Sequence, residues 1–243
     1  MLNEKDFTAE LMRVFKANGL GKLLGRDTAE KLYALTEFML TENEKYNLTA
    51  IKEPKAIILN HYADCITLSE HLPKGASVID VGCGAGFPTL PLALVRPDLK
   101  ITALDATAKR VAYVESAARL IGLANVTPVC QRAEDLARLG EYRERFDFAT
   151  ARAVAEMRVL CELCMPFVKV GGKMIAMKGK NAAFELSGAA KAISLLGGKR
   201  ATTVTVKLQG EELLEHPLII VEKQNKTPSA YPRVFAQISK KPL

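Results

Sequence analysis

The segment Asp80-Val81-Gly82-Cys83-Gly84-Ala85-Gly86 pairs a carboxylate with alternating glycines between an apolar run and a helical one. Such a turn brings backbone close to a ligand, because glycine supplies positive φ and carries no Cβ to clash. Its spacing is not the dinucleotide fingerprint, since the sixth position counted from Gly82 is Phe87, too large for close helix–strand packing. Asp80 stands ahead of the first glycine at the acidic position typical of methyltransferases. Downstream, Asp105 ends the next apolar run, where a carboxylate can accept both hydroxyls of a ribose. Ala133-Glu134 follows the third run, where an adenine pocket would form, and Asp147 lies inside the fourth and reads as a cap or packing group. The set Asp80, Gly82, Gly84, Gly86, Asp105, Ala133 and Glu134 predicts a pocket for S-adenosylmethionine.

Those residues need a scaffold that presents consecutive strand ends along one edge. After Pro73-Lys74-Gly75 the chain alternates between short apolar runs and helical stretches. Strands are predicted at 77–81, 100–105, 126–130, 146–150 and 172–177, with helices at 90–94, 108–121, around 135–138, 154–166 and 182–196. Two more strands, 202–208 and 218–222, have no helix between them and predict an antiparallel hairpin on the sheet edge. Repeated strand–helix units give a mostly parallel, seven-stranded Rossmann-like α/β sheet, the fold of class I S-adenosylmethionine-dependent methyltransferases. Residues 1–72 are read as an N-terminal helical extension, and 73–243 as the sheet domain with a basic tail. In the extension Phe7, Leu11, Val14 and Phe15 recur at helical spacing, as do Leu32, Leu35, Phe38, Met39 and Tyr46. Asp27-Thr28 is a candidate N-cap, and Pro54 a helix start.

Composition narrows the class. The 243 residues are 49% apolar and 25% charged, with no apolar run long enough for a membrane span and no signal-peptide pattern at the N-terminus. A cytoplasmic monomer is expected. Cys161 and Cys164 have zinc-like spacing but no second pair, and His61, His71 and His216 are isolated in sequence, so the cysteines read as core residues and no metal is expected. The formal charge of +7 includes two basic clusters, Lys169, Lys173, Lys178 and Lys180, and then Lys223, Lys226, Arg233, Lys240 and Lys241. Together they favour a phosphate-backbone partner.

From Glu44 to the C-terminus the chain resembles the small-subunit (16S) ribosomal RNA guanine-N7 methyltransferases, the glucose-inhibited division protein B family. The resemblance rests on Tyr46-Asn47-Leu48-Thr49, His61-Tyr62-Ala63-Asp64, the stretch from Asp80 to Pro88, Ala151-Arg152-Ala153-Val154, Lys178-Gly179 and Lys240-Lys241-Pro242-Leu243. It implies cofactor contact at Gly82, Phe87, Ala133, Glu134 and Arg152, with ribosomal RNA of the small subunit as the partner. Cys65, Cys83 and Thr89 depart from the serine, threonine and glycine usual in that family.

Methyl transfer from a sulfonium is an in-line displacement that depends chiefly on positioning. Guanine N7 offers a free lone pair, so no general base is required. The sequence agrees, because the Asn/Asp-Pro-Pro-aromatic loop of amine methyltransferases and a Pro-Cys nucleophile are both absent. Arg152 and Lys178, ending strands four and five, are the candidate catalytic residues: Arg152 to orient cofactor or guanine, or else to pair with Glu156, and Lys178 to meet an RNA phosphate or remain solvated. His61 and Asp64 could share a helix face at the cofactor mouth, although a packed histidine is the simpler expectation. A methyltransferase of small molecules and a non-catalytic RNA-binding assembly protein remain as alternatives.

Overall fold

The computed structural model describes residues 2–243. Helix α1 (Glu4–Ala17) starts where the Asn3 side chain accepts from Asp6 N, and it buries Phe7, Leu11, Val14 and Phe15 along one stripe. Helix α2 (Arg26–Tyr46) begins one residue ahead of Asp27, so Gly25 is the N-cap and Asp27 sits in the first turn. There its carboxylate faces the positive end of the helix and pairs with Lys31. Helix α3 (Pro54–Ile57), capped by the Glu53 carboxylate, runs through a π-helical stretch, Ile58–Ala63, into α4 (Asp64–Ile66).

The sheet follows as strand–helix units: β1 (Ser77–Val81), α5 (Thr89–Val95), β2 (Lys100–Asp105), α6 (Ala108–Leu120), β3 (Val126–Cys130), α7 (Ala133–Leu136), β4 (Phe146–Arg152), α8 (Met157–Cys164) and β5 (Val168–Met177). Helices α9 (Ala182–Gly188) and α10 (Ala190–Leu195) divide the single helix expected there, and β6 (Gly198–Gln209) and β7 (Leu213–Lys223) form the hairpin. The order is β3-β2-β1-β4-β5-β7-β6, with β7 antiparallel to both of its neighbours and β6 at the edge. β5 starts earlier than the apolar pattern suggested, at Val168, and both hairpin strands run on into exposed positions such as Lys199, Arg200 and Leu213 that period-two hydrophobicity does not mark.

The pleat sorts side chains onto the two faces. Val78, Phe148, Ile175, Met177, Leu218 and Ile220 face a core shared with α1, α2, the Pro54–Ile66 run and α6. Ile79, Ala149, Ala151, Met174, Ile219 and Val221 face a second core with α8, α10 and Ile238 of α11 (Phe235–Lys240). The segment read as an extension therefore covers one face of the sheet together with α5 and α6. Cys161 and Cys164 lie buried in α8, as their spacing within an apolar helix implied.

Part of the basic tail is built into the body, while Lys226, Lys240 and Lys241 are exposed. Lys223 is buried against Glu144, Thr227 Oγ1 and the Met165 carbonyl. Arg233 forks onto Glu162, which is fully buried in α8, with Nη2 2.6 Å from Oε2. Arg143 donates to the carbonyls of Thr227 (2.8 Å) and Tyr231 (2.9 Å), tying the segment down further along. Removing the cation while leaving the Glu162 charge buried is costly. Arg233→Ala is expected to lower the unfolding free energy by about 3 kcal/mol, read as a shift in the urea midpoint at constant slope.

A cofactor cleft and the charged cluster beside it

The glycine turn is held by the neighbouring strand. Gly82 N and Cys83 N both donate to the Leu104 carbonyl (2.8 and 2.9 Å), and Gly84 N donates to Asp105 Oδ2 (3.0 Å). Gly82, Gly84 and Gly86 all have positive φ (+77°, +54° and +81°). A Cβ on Gly82 would lie 2.7 Å from Val154 Cγ2, and one on Gly86 would collide with Leu90. The turn thus needs glycine for its dihedrals and for the bodies packed against it.

Beside this turn opens a cleft of about 230 Å³ bordered by Gly82, Asp105, Ala133 and Glu134, with Arg110, Arg132 and Phe235 on its outer side. Asp105 Oδ1 accepts from Thr107 N (2.8 Å), so each oxygen takes one backbone donor and keeps a further lone pair. Glu134 is buried and fixed by Arg132 Nε at 2.9 Å. A Cβ-free wall, a carboxylate with spare acceptor capacity at the end of β2, and small side chains after β3 fit an adenosyl group.

Asp80 is buried near the end of β1, just ahead of the glycine turn. The β1–β4 register sets it beside Thr150, whose hydroxyl donates to Oδ1 at 3.2 Å, while the Thr89 hydroxyl donates to Oδ2 at 2.7 Å. Burial pushes this carboxyl up to about 6, and the two hydroxyls oppose the shift. Thr89, a departure noted in the sequence, therefore supplies a donor to the carboxylate that anchors the glycine turn.

Period two along β4 puts Arg152 on the same face as Phe148, toward the N-terminal helices. Its guanidinium meets Asp64 and not Glu156, with Nη1 3.4 Å from Asp64 Oδ2, while Glu156 pairs with Arg158. Nη1 also donates to Cys65 Sγ (3.0 Å) and Nη2 to His61 Nδ1 (3.2 Å). Since a guanidinium can only donate, His61 Nδ1 accepts and its proton is on Nε2, facing Thr49 Oγ1 at 2.9 Å. The ring stacks on Phe87 with centroids 4.3 Å apart. Burial, and then the Arg152 charge, bring His61 down to about 4, so it is neutral near pH 7. His216, from β7, reaches Asp64 Oδ1.

Histidines isolated in sequence are thus neighbours in space. Thr49, His61 and Asp64 were visible within the quoted motifs, but His216 had no signal, being a lone polar residue on a hairpin strand 152 positions from Asp64.

Lys178 is neither a solvated cation nor one turned to a phosphate. Its Nζ binds Glu185 Oε2 (2.6 Å) and the Ala155 carbonyl (2.8 Å), which fixes the loop carrying Val154 into the cleft wall. Lys169 and Lys173 are paired as well, with Asp147 and Glu222. Among the described residues no cluster of three or more His, Cys, Asp or Glu side chains could hold a metal, and no helix is long and apolar enough to cross a membrane.

Gly82→Arg is expected to abolish binding of S-adenosylhomocysteine in calorimetry while the far-ultraviolet circular dichroism stays unchanged; unaltered affinity would refute this placement of the cleft. His61 should remain the neutral Nε2–H tautomer down to about pH 5 in a nitrogen-15 titration. Its folded-state pKa lies below the ordinary value of 6.5, so its contribution is present above pH 6.5 and lost as the pH falls through about 4. Relative to a His61→Gln variant, the wild type should therefore lose stability over that interval.

The profile described as "GidB: rRNA small subunit methyltransferase G" matches residues 28–214. Proteins named ribosomal RNA small subunit methyltransferase G are similar over most of the chain. The one from Clostridium perfringens (strain 13 / Type A) is 43% identical, covering 93% of this chain and 95% of its own. That from Brevibacillus brevis is 45% identical, covering 83% and 85%. Among solved structures, an O-methyltransferase from Bacillus cereus in complex with SAH covers 90% of this chain and 100% of its own, at TM-score 0.57 and 17% identity. An S-adenosylmethionine-dependent O-methyltransferase from Thermotoga maritima covers 78% and 72%, at 0.50 and 18%. These two likenesses concern the fold, a class I methyltransferase sheet. With its profile match and its close relatives, the chain belongs to the GidB family, the rRNA small subunit methyltransferase G proteins.

Proposed function

We propose that this protein transfers a methyl group from S-adenosylmethionine to N7 of a guanosine in 16S ribosomal RNA. The cofactor, held by Gly82, Asp105, Ala133 and Glu134, supplies an electrophilic methyl group on a sulfonium. The protein's task is then to hold a purine at attack distance and exclude water.

One observation carries the choice of acceptor atom. The groups nearest the end of β4 have their basic positions engaged: His61 Nδ1 by Arg152, Asp64 Oδ2 by Arg152, and Asp64 Oδ1 by His216. Such a cluster suits an acceptor that has no proton to surrender, as N7 of guanine has none. Arg152 stays charged and fixed in direction, so it can orient the base or cofactor without exchanging a proton. Lys178 acts one step removed, by holding Ala155 beside Val154 at the cleft wall. The working unit in this proposal is a monomer, and a ribosomal substrate places the reaction in the cytoplasm.

The test is incubation with labelled S-adenosylmethionine and either assembled small subunits or deproteinised 16S RNA, followed by mapping of N7-methylguanosine. Label at another atom, or in neither substrate, overturns the proposal. Arg152→Lys should reduce kcat about a hundredfold through lost orientation, with cofactor affinity less affected.

A further inference from the structure

The C-terminal segment was expected to meet RNA, yet it ends against the cofactor cleft. Arg233 on Glu162 and the contacts of Arg143 strap residues 227–233 to the body. Two residues beyond Arg233, Phe235 opens α11, whose Ile238 is fully buried and anchors the helix. The Phe235 ring borders the same cleft as Asp105, Ala133 and Glu134. It remains 39% exposed, which leaves ring area free at the border of the cleft. The Arg132 guanidinium lies 4.2 Å from the ring centroid, and the same side chain grips Glu134. An aromatic ring that lines the cleft, is held by a cation and keeps exposed area offers a stacking surface for a base.

We propose that Phe235, clamped by Arg132, forms the outer wall of the adenine subsite, so that the C-terminal strap is part of the cofactor site. This rests on the reading of the cleft as an adenosyl site. Adenine then lies between the small residues after β3 and the ring. Burial of the ring's exposed area on binding supplies affinity at the nucleoside end alone.

Calorimetric titration of the full chain with S-adenosylhomocysteine and with 5′-methylthioadenosine, which lacks the amino-acid portion, tests this. Phe235→Ala should bind both ligands about tenfold more weakly, the loss of one aromatic–base stack. Phe235→Tyr keeps the ring and should restore wild-type affinity for both. Because Ile238 and not the ring anchors the helix, both variants should keep cooperative unfolding, with the urea midpoint of Phe235→Ala lowered only slightly by the lost Arg132 contact. Wild-type affinity of Phe235→Ala for both ligands overturns the proposal, as does a loss confined to S-adenosylhomocysteine. If the wild type binds neither ligand, the cofactor reading falls with it.

Discussion

Taking a guanidinium out of water requires a counter-charge and partners for its N–H groups, or several kcal/mol are lost. Arg152 meets this requirement at the end of β4 through Asp64, His61 and Cys65, all contributed by the helical run before the sheet begins. Much of the architecture follows from that pairing. The N-terminal helices must lie on the face to which period two directs Arg152, with the Ile58–Ala63 π-helical stretch turned so that His61 and Asp64 reach the same guanidinium. Asp64 in turn draws His216 from the hairpin, so the cluster joins the helical layer, a central strand and β7. The charge of Arg152 is held up against burial by Asp64, which keeps it a cation throughout the physiological range.

The same cluster shows what sequence patterns can and cannot disclose. Strand positions 77–81, 100–105 and 126–130 were legible to the residue, because alternation and bounding turns are local properties. The glycine turn was legible because positive φ and close packing both select one residue type. Which anion meets Arg152 was not, since Glu156 was near in sequence and Asp64 lies 88 positions away. That choice is made by the face β4 presents to the helices, a tertiary fact. The placement of individual cations was not legible for a related reason. Counting lysines assumes each faces solvent, whereas Lys178, Lys223 and Arg233 are all internal fasteners. Each of these three is matched by a carboxylate, Glu185, Glu144 or Glu162, so the net charge of +7 is carried by other residues.

Asp80 and Asp105 divide between them what the sequence had read as one acidic signature. Asp80 is enclosed, its oxygens met by Thr89 and Thr150, and burial raises its pKa while those hydroxyls oppose the shift. Its folded-state pKa lies above the ordinary 3.8, so its contribution to stability is fully present below that value and is lost as the pH rises through about 6. A site near neutrality thus bears a standing cost at Asp80, which the two hydroxyls offset in part. Asp105 instead faces the cleft while bonding Gly84 N and Thr107 N. One carboxylate therefore fixes both the glycine turn and the start of α6, at the border of the cleft. If the cleft holds the proposed adenosyl group, turn geometry and sugar recognition are coupled through this residue: a ligand that takes its free lone pairs also braces the backbone that gives it room.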